Sequence, residues 1–182
     1  MDKIQVKNAF VAVFDKKSTD GLAVLFKYYK VNVLGTKGTA DYLKKKGITA
    51  KNVVSGFDFD GRVKSLDRKN FAAILADKSK AKHLAEIKTL KVPAIDAVIV
   101  DLYKPDRKGF PESMDIGGQA LIRAAIKNYK NVVVAFDAKS MDDLEWELKK
   151  NKGVTTLAFR KKQAAKALKF IASRTAQEAK LF

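Results

Sequence analysis

An aspartate stands two residues ahead of a glycine pair, and a helical pattern follows at once: Met114-Asp115-Ile116-Gly117-Gly118-Gln119-Ala120-Leu121-Ile122-Arg123-Ala124-Ala125-Ile126-Lys127-Asn128. Glycines leave the turn without side chains, so its N–H groups can come close to a ligand. A helix start adds unpaired donors and a partial positive charge, which suit an anion or a polarised oxygen. Arg123 and Lys127 lie four residues apart and so share a helix face. This set suits a polar, anionic small molecule. It equally fits a capped helix followed by a solvated charged stripe.

Further polar groups sit where apolar runs end. Asp15-Lys16-Lys17 follows Phe10-Val11-Ala12-Val13-Phe14, and Gly35-Thr36-Lys37-Gly38-Thr39 follows Val31-Asn32-Val33-Leu34. Asp101, Tyr103 and Lys104 follow Ile95-Asp96-Ala97-Val98-Ile99-Val100. The stretch Ser55 to Asp67 reads as an irregular loop carrying Arg62, Lys64 and Ser65. His83 reads as a surface or packing histidine, because no partner for metal or base chemistry stands near it in the chain.

The elements that would position these groups alternate. The apolar runs read as buried strands, including a weak one at Asn52-Val53-Val54 and another over Asn131 to Phe136. Helices are expected over Gly21 to Lys30, capped by Ser18, Thr19 or Asp20, and over Ala40 to Lys46, ending at Gly47. More follow over Lys69 to Ala76 and Lys80 to Leu90. Ser140 to Lys150 is expected to be capped by Ser140, and Thr156 to Lys180 is a long amphipathic pattern. Trp146 is expected in the core or an interface. Strand and helix in alternation indicate a single α/β domain over 1–182, three-layered, with a mainly parallel sheet and crossover helices. In such sheets ligands bind beyond the carboxyl ends of the strands, where the polar segments fall.

Composition sets outer limits. At 47% hydrophobic and 31% charged, 182 residues suffice for a packed core. No cysteine means no disulfide, thiolate or cysteine–zinc chemistry, and one histidine cannot build a multi-histidine metal site. No apolar run reaches bilayer length and the N-terminus lacks an apolar signal segment, which predicts a cytoplasmic protein without membrane contact. The formal charge of +17 favours anionic partners. Only six of the 37 basic residues are arginine, and the lysines are scattered. That pattern reads as a general surface property more than a nucleic-acid groove, which stays open as the lesser alternative.

Taken in order, the motifs resemble the IMP cyclohydrolase domain, the N-terminal half of a bifunctional purine-biosynthesis enzyme. Asp60-Gly61-Arg62-Val63-Lys64-Ser65-Leu66 is similar to the family's GRVKTL segment, and Asp115 to Asn128 to its DIGG…LIRAAAKN. Asp101-Leu102-Tyr103-Lys104-Pro105 resembles NLYPF, Thr36-Lys37-Gly38-Thr39 the STGGT loop, and Asp15-Lys16 the SDKTGL loop. The resemblance runs from about Val11 to about Ala172 and implies a methylglyoxal-synthase-like fold. It implies closure of formyl-AICAR to IMP with loss of water, without cofactor or metal. By the same resemblance Lys127 is the acid/base lysine, while Lys64, Arg62 and Ser65 meet the reacting base. Asp115 with the amides of Ile116 and Gly117 clamps the carboxamide, and Tyr103 donates a hydrogen bond. Asp101 stands at a substrate-contacting asparagine. Lys16 with Thr36, Lys37, Gly38 and Thr39 holds the phosphate. That last set also makes physical sense by itself: a lysine, a glycine and two hydroxyls near helix starts form a phosphate cradle.

The resemblance further implies a homodimer, and a separate enzyme supplying formyl-AICAR by formyl transfer. Departures concentrate at the phosphate end and around the site: Phe14 replaces a serine, Lys37 a glycine, Asp67-Arg68 a His-Pro pair and Asp101 an asparagine. The family's His-Thr-Ala-x-Tyr-Asp pattern is missing around Phe170 to Thr175. A non-catalytic purine-nucleotide-binding domain and a basic RNA-binding protein on the same fold remain the alternatives. Methylglyoxal synthase fits less well, since no glycine-rich acidic segment of the kind that chemistry uses is present. An unbroken helix from Gly118 would place Lys127 roughly 13 Å along the axis from its start. Asp115 and Lys127 therefore grip different parts of a substrate, or the helix bends between them.

Overall fold

The computed structural model describes residues 2–53 and 65–182. Elements run β1 (Lys3–Gln5), β2 (Asn8–Ala12), α1 (Asp20–Tyr28), β3 (Asn32–Gly35), α2 (Lys37–Lys45), β4 (Ala50–Asn52), α3 (Arg68–Leu75) and α4 (Ala81–Thr89). Then come β5 (Ala97–Val100), α5 (Ile116–Lys127), β6 (Val133–Ala135), α6 (Ala138–Lys150), β7 (Val154–Thr156) and α7 (Leu157–Ala179). Among the described residues, five strands form a parallel sheet in the order β4-β3-β2-β5-β6.

Both faces of the sheet are covered, which is why its strands read as continuous apolar runs. Successive side chains of β5 go to opposite faces. Ala97 and Ile99 join Leu22 and Phe26 of α1, Leu43 of α2 and Leu144 of α6. Val98 and Val100 join Ile74 of α3, Leu121 and Ile122 of α5, and Ile171 of α7. The result is the expected three-layer α/β domain. Burying a large aliphatic side chain such as Ile99 or Leu121 contributes about 1.5–3 kcal/mol relative to exposure.

From β2 the chain passes through α1 to β3 on one side. From β5 it passes through α5 to β6 on the other. The connections diverge between β2 and β5, so a crevice opens there at the strands' carboxyl ends.

The amino ends of the same two strands are tied by Asp96. One carboxylate oxygen accepts from the Lys7 and Asn8 amides at 2.9 and 2.8 Å. The other accepts from the ammonium of the largely buried Lys78, which also donates to the Asn131 carbonyl at 2.9 Å. Fully buried Arg160 fastens α7 to its surroundings, donating to the carbonyls of Tyr129, Lys130 and Thr155 at 3.1, 3.1 and 2.7 Å.

Several local expectations need correcting. Helix α2 begins at Lys37, so Lys37, Gly38 and Thr39 form a helical first turn, not a loop. Helix α6 is capped by Asp137. Ser140 sits three residues inside it and returns the reciprocal hydrogen bond of a capping box. Trp146 is 60% exposed, with the Lys150 ammonium 4.7 Å from its ring centroid, so it is not a core residue. The antiparallel pair β1–β7 was not expected. Val54 of the expected third strand lies outside the described residues. Among the described residues no helix is long and apolar enough to cross a membrane.

Candidate active site

A cavity of about 750 Å³ occupies the crevice. Val13 and Phe14 reach it from the end of β2, Thr36 from β3, and Asp101 and Tyr103 from β5. Asp115 to Gly118, at the start of α5, close the opposite wall beside Ser65.

Asp115 is the N-cap of α5 and accepts from the Gly118 amide at 2.6 Å. The two glycines are needed for contact. A Cβ at Gly117 would stand 2.4 Å from the Ser65 hydroxyl oxygen, and one at Gly118 would stand 2.5 Å from Leu102 Cδ2 and 2.7 Å from Asp115 Oδ1. Burial pushes the Asp115 carboxyl above the ordinary aspartate range, and the nearby Asp101 and Glu178 push the same way. The Gly118 amide and the Arg174 guanidinium oppose them. Tyr103 is also raised, by burial first and then by Asp115 and Glu178, so its hydroxyl stays protonated. That hydroxyl donates to the Met114 carbonyl at 3.2 Å, within the segment leading to Asp115. A half-buried carboxyl beside a protonated phenol can exchange a proton with a bound amide and donate to an oxyanion.

The loop after β2 is held by Asp101, whose carboxylate oxygens accept separately from the Phe14 amide and, at 3.0 Å, from the Asp15 amide. Its oxygens therefore serve the backbone at the cavity rim. An asparagine offers one oxygen there and turns an NH2 donor toward an N–H donor. Asp101→Asn is expected to cost about 1–2 kcal/mol of stability, read from a denaturant melt. Lys16 folds back onto the Phe14 carbonyl at 2.8 Å, with its Cε 3.7 Å from a Cβ built at Gly38. The lysine thus lies against the start of α2. There the Thr36 side chain makes no capping bond, and its hydroxyl donates to Thr39 at 3.3 Å. Thr39 is buried, with its hydroxyl accepting from the Val13 amide at 3.3 Å. It braces α2 against β2, and the first-turn amides of a helix have no intrahelical partner.

The structure thus brings Asp115, Ile116, Gly117, Tyr103, Asp101, Ser65, Thr36 and Lys16 around one cavity. Lys37, Gly38 and Thr39 adjoin it through the start of α2. Lys127 is exposed in the last turn of α5 and does not line the cavity, and Arg123 is exposed on the same helix. Arg62 and Lys64 lie outside the described residues. Sequence reasoning missed Phe14 as a wall: its ring is 69% exposed and stands 6.3 Å from that of Tyr103, centroid to centroid. It also missed Arg174 and Glu178 of α7. Their signal was present, because Ala167, Ile171, Arg174 and Glu178 recur at 4-3-4 spacing along the buried stripe. Among the described residues no group of three His, Cys, Asp or Glu side chains is placed to hold a metal ion.

A parallel α/β sheet with a polar crevice at its switch point defines the class. The MGS-like domain family model matches residues 21–134, and the chain belongs to that family. The chain is 37% identical over 178 residues to the bifunctional purine biosynthesis protein PurH of Rhizobium rhizogenes, covering 91% of this chain and 33% of that protein. It is 35% identical over 180 residues to the PurH of Clostridium botulinum, covering 92% and 36% respectively. It spans about a third of the length of these curated relatives. The crystal structure of ForH superimposes with a TM-score of 0.84 at 29% identity, covering 97% of this chain and 96% of that one.

Proposed function

We propose that the chain is an IMP cyclohydrolase, closing formyl-AICAR to IMP in purine biosynthesis. The observation that carries this reading is Asp115, a carboxyl raised by burial, capping α5 at the wall of a nucleotide-sized cavity. Similarity to the PurH proteins supports it.

In the reaction the carboxamide nitrogen bonds to the formamide carbon, whose carbonyl electrons move onto oxygen. The nitrogen loses its proton to Asp115. Tyr103, once its hydroxyl turns from the Met114 carbonyl, and the amides of Ile116 and Gly117, outside the intrahelical ladder, receive the oxyanion. The protonated carboxyl returns its proton to the oxyanion, giving a hydroxyl. That hydroxyl then departs as hydroxide and takes the N–H proton of the former formamide nitrogen, so water leaves and the ring becomes aromatic. Holding the two side groups together supplies much of the acceleration. Lys16 and the first turn of α2 take the phosphate. Lys127 enters this reading through the resemblance alone, and its place at the far end of α5 separates it from Asp115.

The phosphate contact is the same in substrate and transition state. Lys16→Ala is therefore expected to raise KM roughly tenfold with kcat changed less than threefold, read from initial rates. Turnover of formyl-AICAR by the purified protein tests the reading itself. The departures at the phosphate end, Phe14 above all, favour as second reading a nucleotide-binding domain without turnover. IMP would then raise the melting temperature while formyl-AICAR stays unchanged.

A further inference from the structure

The last turns of α7 reach the back of the cavity. Arg174 is 8% exposed and donates from Nη1 to the Tyr103 carbonyl at 3.0 Å, its guanidinium carbon 5.7 Å from the Phe170 ring centroid. Glu178, one turn later and 5% exposed, accepts from the Gln119 side chain at 2.8 Å. Gln119 lies in the first turn of α5, directly after the glycine pair. One buried cation thus holds the Tyr103 wall, and one buried anion holds the Asp115 wall.

We infer that Arg174 and Glu178 are positioning residues of this site, fixing the Tyr103 segment to the start of α5 and setting the charge balance around Asp115 from behind. The inference deepens the cyclohydrolase reading and rests on it for the meaning of the site. Neither residue lines the cavity; both act through Tyr103, Gln119 and the field at Asp115.

Lys16 and Glu112 line the same cavity as Asp115, and the groups that act on its carboxyl most directly come from two elements. Asp101 and Tyr103 follow β5, and Arg174 and Glu178 stand on α7; the first turn of α5 adds no acidic residue. Arg174 stabilises the Asp115 carboxylate and Glu178 destabilises it. Removing one or the other must move the titration of Asp115 in opposite directions, whereas loss of packing alone has no reason to do so.

The test is a carboxyl-carbon NMR titration of the intact protein labelled at aspartate, with the Asp115 signal assigned by its loss in Asp115→Asn. Arg174→Met is expected to shift the midpoint up, Glu178→Gln to shift it down, and Arg174→Lys to leave it near the parent value. Shifts of equal sign, or unmoved midpoints in folded variants, overturn the inference. Should Arg174→Met fail to fold, Glu178→Gln decides by itself, and an unmoved or raised midpoint overturns it. The titration needs no substrate. Opposed shifts in a protein that does not turn over formyl-AICAR would uphold the positioning role and reject the reaction.

Discussion

Replacing Asp115 with asparagine is expected to lower turnover by roughly 10²- to 10⁴-fold while leaving the fold intact. Asparagine caps a helix nearly as well as aspartate, so the bond to the Gly118 amide survives in kind. What disappears is the proton acceptor. The carboxyl must be ionised to take the amide proton, so kcat/KM of the parent falls on the acid side. Burial places that fall above the ordinary aspartate range. The stability linkage has the opposite sign. A raised folded-state pKa means the native form holds its proton longer than the unfolded chain does. Between the two pKa values stability therefore falls as pH rises. At neutral pH an ionised Asp115 costs the fold something, and Asp115→Asn is expected to melt at or above the parent temperature. Loss of activity without loss of stability marks a group kept for chemistry. Initial rates and a thermal melt on one preparation check both halves.

The largest structural effect is expected at the other end of the sheet. Asp96→Ala should cost about 3–5 kcal/mol, measured by urea denaturation. It strands the Lys78 ammonium and leaves the Lys7 and Asn8 amides without their acceptor. Against a total stability of about 5–15 kcal/mol, that threatens folding itself. Lys78 is already lowered by burial, with Asp96 opposing the fall. Without Asp96 the native state sheds the lysine proton at still lower pH than the unfolded chain. The unfolded chain then binds more protons throughout the window, so the variant's stability rises with pH. The deficit shrinks as pH climbs toward the ordinary lysine value of 10.5. A deficit independent of pH would assign the loss to the two amides alone.

The fold was legible because β5 and its neighbours are buried on both faces and carry little else but apolar residues. The candidate site was legible where one local segment contains both the geometry and the chemistry. Asp115 before Gly117 and Gly118 announces its own cap, and Tyr103 closely follows the clearest apolar run, which ends at Val100. The start of α2 was hidden because Gly38 and Thr39 carry loop chemistry, while Thr36 caps by backbone conformation alone. The β1–β7 pair was hidden because three-residue strands show almost no period. Arg174 and Glu178 were hidden by distance: their partners lie 71 and 59 residues away in the chain. For Lys127, the rise per residue posed the question and the structure supplied the fact that α5 runs from Ile116 to Lys127 as one helix.

Whether Asp115 closes the ring is decided by one paired assay. Formyl-AICAR is mixed with the purified chain, and with its Asp115→Asn variant, while the rise in IMP is followed by absorbance and verified by NMR. IMP formation well above the uncatalysed rate is expected for the parent, and a rate close to that background for the variant. Folded parent protein that forms no IMP above background, or an Asp115→Asn variant as fast as the parent, would contradict ring closure by Asp115.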